Sequence, residues 1–181
     1  MNSENQCAVK IPSAVIYGLI LFAILSRLLP HPMNITSVGA LSLFAGAFLP
    51  LRIAWIAPVT ALLVGDAVSG FYHPIVMLFV YAGFAIGTLV GRWMLANKRT
   101  IINLAAGALI SASIFFMLSN FGMWLSGTYP ATIDGLINCY IRGIPYFRYS
   151  LIGDIFYTYL LFSSYELVRL IIGRQLLFRS R

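Results

Sequence analysis

The sequence predicts an all-α membrane protein in which six transmembrane helices form one bundle. Three observations predict this class. The 181-residue chain is 60% hydrophobic and only 9% charged, whereas a soluble domain carries about 25% charged residues. Its apolar residues fall into six separate stretches, and most of its basic residues lie at the ends of those stretches. We therefore expect a single transmembrane domain over residues 1–181, with a short cytoplasmic tail at 1–10 and a basic tail at 173–181.

The six apolar stretches give the expected helix boundaries. They cover residues 12–29, 35–49, 51–69, 74–96, 100–125 and 149–172. A helix needs about 20 residues to cross the hydrocarbon core of a bilayer, and the second stretch would be only about 22 Å long. We therefore expect neighbouring helices to shield the ends of this short helix from lipid.

The distribution of basic residues predicts the orientation of the bundle. Six spans place both termini on one side, and that side carries nine lysines and arginines. They are Lys10, Arg52, Arg92, Lys98, Arg99, Arg169, Arg174, Arg179 and Arg181. The other side carries only Arg27, Arg142 and Arg148. The positive-inside rule then places both termini in the cytoplasm, as expected for a protein of the bacterial cytoplasmic (inner) membrane. The net charge of +7 is thus explained by topology, and no nucleic-acid partner is expected.

The three outward connections hold most of the polar residues outside the spans. They read PHPMNIT at 30–36, SGFYHP at 69–74, and a long third connection at 126–148. An apolar stripe in the third connection predicts a short amphipathic helix over 131–143, which Gly143 and Pro145 would end. We expect this helix to cover the outer mouth of the bundle. The alternative is a helix that only rests on lipid headgroups.

Three ionisable residues are predicted to lie at one depth, about one helical turn below the outer surface. They are Arg27 in the first helix, Asp66 in the third and Asp154 in the sixth. Ionisable groups inside spans face the bundle interior and usually mark a functional site. The alternative is a structural ion pair that locks helices together. Because one arginine cannot neutralise two carboxylates, an aspartate would need Arg142, Arg148 or a polar ligand as its partner.

Aromatic and polar side chains near the outer end form the predicted ligand site. Asn120 and Trp124 share a helix face and could hold a planar polar ring, or could make interhelical hydrogen bonds instead. His31 and His73 could together contact a metal or a metal-containing ligand, but each alone is typical of a loop residue. No cofactor or resident metal is expected. The predicted ligand-binding residues are His31, Asn34, Asp66, Phe71, Tyr72, His73, Asn120, Trp124, Tyr129, Tyr140, Arg148 and Asp154.

Small residues at a spacing of four predict close helix packing. The three such faces are Gly83, Gly87 and Gly91 on the fourth helix, Ser42 with Gly46 on the second, and Ala14 with Gly18 on the first. A face of this kind permits close approach of two backbones. The neighbour is either another helix of the same bundle or another subunit.

Three strings carry a resemblance to a known group of proteins. They are PHPMN at 30–34, NFGMW at 120–124 and IPYFR at 144–148. With their surroundings, over roughly residues 25–165, they resemble an uncharacterised family of small bacterial integral membrane proteins. That family is distantly similar to the substrate-binding S components of energy-coupling factor (ECF) transporters. The resemblance implies a pocket at the outer face, roofed by the first, third and fifth loops. It also implies a separate transmembrane coupling subunit with two ATPases as partners, and it transfers no binding residue.

These observations together predict a membrane-embedded solute-binding or transport subunit rather than an enzyme. Its ligand would be a small vitamin-like or heterocyclic molecule. The sequence has no nucleotide-binding glycine loop, so the chain is not expected to hydrolyse ATP itself. Two alternatives stay open. One is a membrane enzyme that uses Asp66 and Asp154 as an acid/base pair. The other is a scaffold that recruits partners through its glycine faces.

Overall fold

The computed structural model describes residues 13–26 and 35–179, with side chains described to residue 175. Within these ranges every regular element is helical, which confirms the predicted all-α class. The helices are α1 (Ser13–Ser26), α2 (Val38–Phe48), α3 (Leu51–Ala54), α4 (Ile56–Ser69), α5 (Pro74–Val90), α6 (Ile101–Met123) and α7 (Ile133–Arg179). Two π-helical segments, Gly91–Leu95 and Trp124–Thr128, prolong α5 and α6.

Four helical stretches are long and apolar enough to cross a membrane. They are Leu51–Ser69, Pro74–Leu95, Ile101–Thr128 and Ile133–Gln175. Within the described residues, α1 and α2 are shorter apolar helices of 14 and 11 residues. By length and composition the chain is therefore a membrane protein. The predicted spans at 51–69 and 74–96 agree closely with the structure, whereas part of the predicted first span, 12–29, lies outside the described residues.

The short helix α2 lies at the centre of the bundle. All residues from Val38 to Ala47 are buried, and the helix contacts α1, α4, α5, α6 and α7. The expected shielding of this helix is thus confirmed. Its backbone approaches α5 closely, because Gly46 lies against the carbonyl of Thr88 and Gly91 lies against the backbone of Leu43. Protein rather than lipid surrounds α2, so the helix need not match the bilayer thickness.

The third predicted span consists of two helices, the short α3 and the longer α4, which meet at a turn on Trp55. Pro58 lies one turn further along the chain and has no backbone N–H, so it cannot donate to the carbonyl of Ala54. This missing hydrogen bond accounts for the interruption.

The predicted short helix over 131–143 is wrong as a separate element, and so is the predicted start of the last span at 149. Both belong to one continuous 47-residue helix, α7, which includes Pro145. Pro145 removes only one backbone hydrogen bond. Packing against α6 supports the helix there, since Gly143 lies against the side chains of Asn120 and Phe116. The residues predicted to form a loop at 126–148 are therefore mainly the facing ends of α6 and α7.

The connection between α6 and α7 is consequently a tight turn over residues 129–132. Gly127 has φ of +83° at the end of α6, a conformation that favours glycine. The indole Nε1 of Trp124 donates to the carbonyl of Pro130 at 3.0 Å. The hydroxyl of Tyr140 on α7 donates to the carbonyl of Met117 on α6 at 2.8 Å and links the two helices further from the turn. We call the end of the bundle that contains this turn and the α4–α5 connection, residues 70–73, the hairpin end.

The opposite end of the bundle is organised around Arg99. Its guanidinium donates to the carbonyls of Leu95 and Ala96 at 3.0 and 2.8 Å. It also lies 3.8 Å from the carboxylate of Glu166 on α7 and 4.2 Å from the ring centre of Phe48 on α2. One side chain thus joins α2, α7 and the end of α5.

The glycine face of α5 is occupied within the bundle. Gly83 lies against Phe115, and Gly87 lies against Ser111 and Ser42. The face predicted on α1 is different, because among the described residues no other helix comes within 4 Å of the position that a β-carbon on Gly18 would take.

Candidate functional site

A cavity of about 430 Å³ lies among α5, α6, the hairpin turn and α7. Its lining residues are Val76, Val80, Phe115, Phe116, Ser119, Asn120, Met123, Thr128, Tyr129, Gly143, Tyr146, Phe147 and Ser150. Pockets for small ligands have volumes of about 300–1,000 Å³ and are mostly apolar, with a few polar groups. This cavity fits that description, and we call it the aromatic cavity.

Helical periodicity positions the walls of the aromatic cavity. Gly143, Phe147 and Ser150 are spaced by four and three residues, so they share one face of α7. On α6, Phe115 and Phe116 lie one turn before Ser119 and Asn120 on the facing side. The Gly143 backbone approaches Asn120 because glycine has no side chain there. This close contact brings α6 and α7 together at the wall of the cavity.

Aromatic rings fix the shape of this wall by packing on one another. The rings of Phe116 and Phe147 have centres 4.9 Å apart, and Phe116 meets Tyr140 edge-on at 5.6 Å. Phe115 stacks on Phe84 of α5 at 4.5 Å. Such contacts hold the rings in defined orientations. The cavity is therefore a preformed space within a packed aromatic cluster.

Asn120 provides a polar group of the wall. Its Nδ2 donates to the carbonyl of Phe116 at 2.8 Å, and its Oδ1 lies 3.9 Å from the Cys139 Sγ. The thiol of Cys139 also donates to the Asn120 backbone carbonyl at 3.3 Å. These contacts orient the amide between α6 and α7. The amide thus makes local hydrogen bonds and also faces the cavity.

A second cavity of about 200 Å³ adjoins the first and contains both buried aspartates. It is lined by Thr36, Leu62, Asp66, Tyr72, Val80, Phe84, Phe115, Ser150 and Asp154. The two cavities share Val80, Phe115 and Ser150. We call the smaller one the carboxylate cavity. Asp66 is 4% exposed and Asp154 is 5% exposed, so two buried acidic residues line this one cavity.

Each carboxylate has a defined protein contact. Oδ2 of Asp66 accepts a hydrogen bond from the hydroxyl of Tyr81 at 2.9 Å. The carboxylate of Asp154 lies directly against Gly39 and accepts a hydrogen bond from the backbone N–H of Ala40. Gly39 and Ala40 form the first turn of α2, where backbone N–H groups favour a negative charge.

The structure brings five of the predicted site residues to the two cavities. Asn120 and Tyr129 line the aromatic cavity, and Asp66, Tyr72 and Asp154 line the carboxylate cavity. The predicted residues His31 and Asn34, and the predicted charge partner Arg27, lie outside the described residues.

The other predicted site residues occupy different positions. Phe71 is 64% exposed and Arg148 is also exposed. His73 precedes α5, and its Nδ1 accepts from the N–H of Ile75 at 3.3 Å, as a helix cap does. Trp124 and Tyr140 make the contacts across the α6–α7 hairpin described above. None of these five side chains lines either cavity.

Most residues of the aromatic wall are not among the ligand-binding residues predicted from the sequence. The missed residues include Phe115, Phe116, Tyr146, Phe147, Ser119 and Ser150. One signal was available, because Gly143, Phe147, Ser150 and Asp154 follow a spacing of four, three and four residues. That spacing places them on one helix face. The predicted break at Gly143 and Pro145 divided the face and hid it.

The side chains that line these cavities can contact a ligand through aromatic rings, hydroxyl groups, one amide and two carboxyl groups. Among the residues that the structure describes, no group of three or more metal-ligating side chains comes together. The geometry therefore provides no defined metal centre within those residues.

Comparison with known proteins identifies a family. The model of DUF6580, a family of unknown function, matches residues 8–175. The chain therefore belongs to this family. It matches no curated protein and no solved structure.

Proposed function

For this member of DUF6580, we propose the role of a membrane-embedded solute-binding subunit that takes part in the uptake of a small vitamin-like or heterocyclic molecule. The observation that carries the proposal is the aromatic cavity of about 430 Å³, with its neighbouring carboxylate cavity. The aromatic rings of its wall offer surfaces on which a planar ligand could pack. Buried polar groups beside them would select the ligand by its hydrogen-bonding groups.

The proposed orientation places the hairpin end outside the cytoplasm. The basic residues support it, because Arg52, Arg92, Lys98 and Arg99 follow or precede spans at the opposite end of the bundle. Both termini then lie in the cytoplasm of a bacterial cell, and the aromatic cavity faces the external medium. A ligand would enter the cavity from that side.

The proposed partners are a separate transmembrane coupling subunit and ATPases of the ECF type. The resemblance of the sequence to a group distantly similar to S components supports this arrangement. The sequence has no nucleotide-binding glycine loop, so in this arrangement the ATPases, and not this chain, would hydrolyse ATP.

A second candidate function is that of a membrane enzyme. The observation that favours it is the presence of Asp66 and Asp154 in one small cavity. Two carboxyl groups in a shared enclosed site can act as an acid/base pair. Such an enzyme would release a chemically altered ligand, whereas a binding subunit would hold it unchanged.

Native mass spectrometry of the protein purified from its own membranes tests the proposal. We expect a bound, chemically intact small molecule on the natural protein. The variant Ser119→Trp places a large ring in the aromatic cavity and should lose that molecule. The matched control, Ser113→Trp, lies on the same helix, lines neither cavity and should retain it. An altered molecule would favour the enzyme, and a tightly bound protein partner beside an empty cavity would favour a scaffold.

A further inference from the structure

The two adjoining cavities form one elongated binding space with two chemically different parts. The aromatic cavity has five aromatic rings in its wall, those of Phe115, Phe116, Tyr129, Tyr146 and Phe147. The carboxylate cavity contains Asp66 and Asp154. Ser150 lies at the junction, because it lines both cavities. A ligand that fills the space would thus have a ring at one end and a polar group at the other.

Asp154 determines the charge that this polar group should carry. Its carboxylate is compensated by the first turn of α2 through the N–H of Ala40. A helix N-terminus supplies only about half an elementary charge. Within the described part of the chain, no lysine or arginine forms an ion pair with Asp154. Burial disfavours a lone charged carboxylate, so a cationic group bound beside Asp154 would stabilise its ionised form by pairing with it.

The aromatic part favours the same sign of charge. The faces of aromatic rings carry negative electrostatic potential and attract cations. Among the described residues, neither cavity has a lysine or an arginine in its lining. Asp154 and the aromatic rings of the described lining are therefore better suited to a cation than to an anion.

We propose that the ligand is an aromatic or heterocyclic cation, such as an amine or an amidine. Its ring would lie among the aromatic side chains, and its positive group would lie in the carboxylate cavity beside Asp154. This inference rests on the proposed solute-binding function, and it adds the charge class of the solute. At about 200 Å³, the carboxylate cavity has room for such a head group.

Cysteine modification at the junction measures this charge preference without knowledge of the natural ligand. The full chain would carry Ser150→Cys with both natural cysteines, Cys7 and Cys139, replaced by alanine. Three methanethiosulfonate reagents of similar size would be compared, one cationic, one neutral and one anionic. The control site is Ala131→Cys in the exposed hairpin turn. The measured quantity is the ratio of cationic to anionic reaction rates at each site.

At a pH where the carboxyl group of Asp154 is ionised, we expect this ratio at Ser150→Cys to exceed that at Ala131→Cys by about tenfold or more, because the negatively charged cavity concentrates cations. Adding Asp154→Asn should lower the ratio, whereas Asp134→Asn, an exposed acidic residue on the same helix, should not. If Asp154→Asn does not fold, the ratio of cationic to anionic rates in the protein that retains Asp154 still tests the inferred positive charge of the ligand.

Two other outcomes have distinct meanings. Equal rates, or a faster anionic reagent, would overturn the inferred cation and leave the proposed binding function in place. Failure of the neutral reagent to reach Ser150→Cys, while it modifies Ala131→Cys, would show that the cavity does not open to water. That result would overturn both the proposed function and the inference that rests on it.

Discussion

The carboxylate of Asp154 on α7 lies against the backbone of Gly39 on α2, in the position that a β-carbon would occupy. This contact joins the longest helix to the central helix of the bundle at the edge of the carboxylate cavity. It also explains why a glycine stands in the first turn of α2, since any side chain there would displace the carboxylate from the N–H of Ala40. The geometry of Asp154 thus depends on Gly39.

Gly39→Ala should therefore destabilise the protein by about 1–3 kcal/mol, the usual cost of an added methyl group in a packed interior. Thermal unfolding in detergent measures the effect. The control is Gly18→Ala, which has open space around the added atom and should be neutral or gain about 0.5–1 kcal/mol from improved helix propensity. The double variant Gly39→Ala, Asp154→Ala should recover part of the lost stability because the clashing group is gone. Equal stability of Gly39→Ala and the natural protein would show that the carboxylate does not occupy this position.

Tyr140→Phe should weaken the α6–α7 hairpin. The change keeps the ring against Phe116 and removes only the hydrogen bond to the Met117 carbonyl. The expected loss is about 0.5–1.5 kcal/mol, the net value of one such bond. Chemical denaturation in detergent measures it, with Tyr149→Phe, an exposed residue on the same helix, as the control. Equal midpoints for the two variants would indicate that the Tyr140 hydroxyl does not fasten the hairpin.

Arg99→Lys should destabilise the opposite end of the bundle. Lysine keeps the charge but lacks the planar guanidinium that donates to two carbonyls and lies over Phe48. A loss of about 1–3 kcal/mol follows from hydrogen bonds made by a charged donor. Arg92→Lys is the matched control, because Arg92 is exposed in the preceding π-helical segment. An unfolding temperature as low for Arg92→Lys as for Arg99→Lys would contradict the special role of Arg99.

Topology is testable with reporters and labels. A reporter fused after Arg181 should lie in the cytoplasm, and a cysteine at Thr128 should react with a membrane-impermeant reagent added outside the cell. The expectation follows from the excess of basic residues at the opposite end of the bundle. Labelling of Thr128→Cys only from the cytoplasmic side would reverse the proposed orientation and with it the direction of ligand entry.

Much of the fold could be predicted from the sequence because the lipid bilayer sets the length and the apolar character of a helix that crosses it. Apolar stretches long enough to cross a bilayer identified the spans that begin at Leu51, Pro74 and Ile101. The length of α2 alone indicated that protein must surround it, and the structure confirms this. Asp66 and Asp154 were grouped by their predicted depth, and the structure places both in one cavity.

The rest depended on packing that local signals do not report. Gly143 and Pro145 have low helix propensity. Helix α7 is nevertheless continuous through both residues, and Gly143 packs against Asn120 and Phe116 of α6. A helix end was predicted there, so one face of α7 was assigned partly to a loop. The wall residues Phe147 and Ser150 were therefore not predicted. Exposed aromatic residues such as Phe71 were included among the predicted ligand-binding residues because they share a short loop with His73. Proximity along the chain could not show that their side chains lie away from the cavities.

The thermal response of the protein to small molecules from its own cells shows whether the aromatic cavity binds a solute. A protein-free extract, limited to small molecules, would be added to the natural protein, to Ser119→Trp and to the control Ser113→Trp. A ligand that binds only the folded state raises the unfolding temperature, and the rise grows with the ratio of ligand concentration to Kd. We predict a rise for the natural protein and for Ser113→Trp, and none for Ser119→Trp, whose aromatic cavity is filled. A rise of equal size in all three proteins, or in none of them, would contradict the account that the aromatic cavity binds a solute.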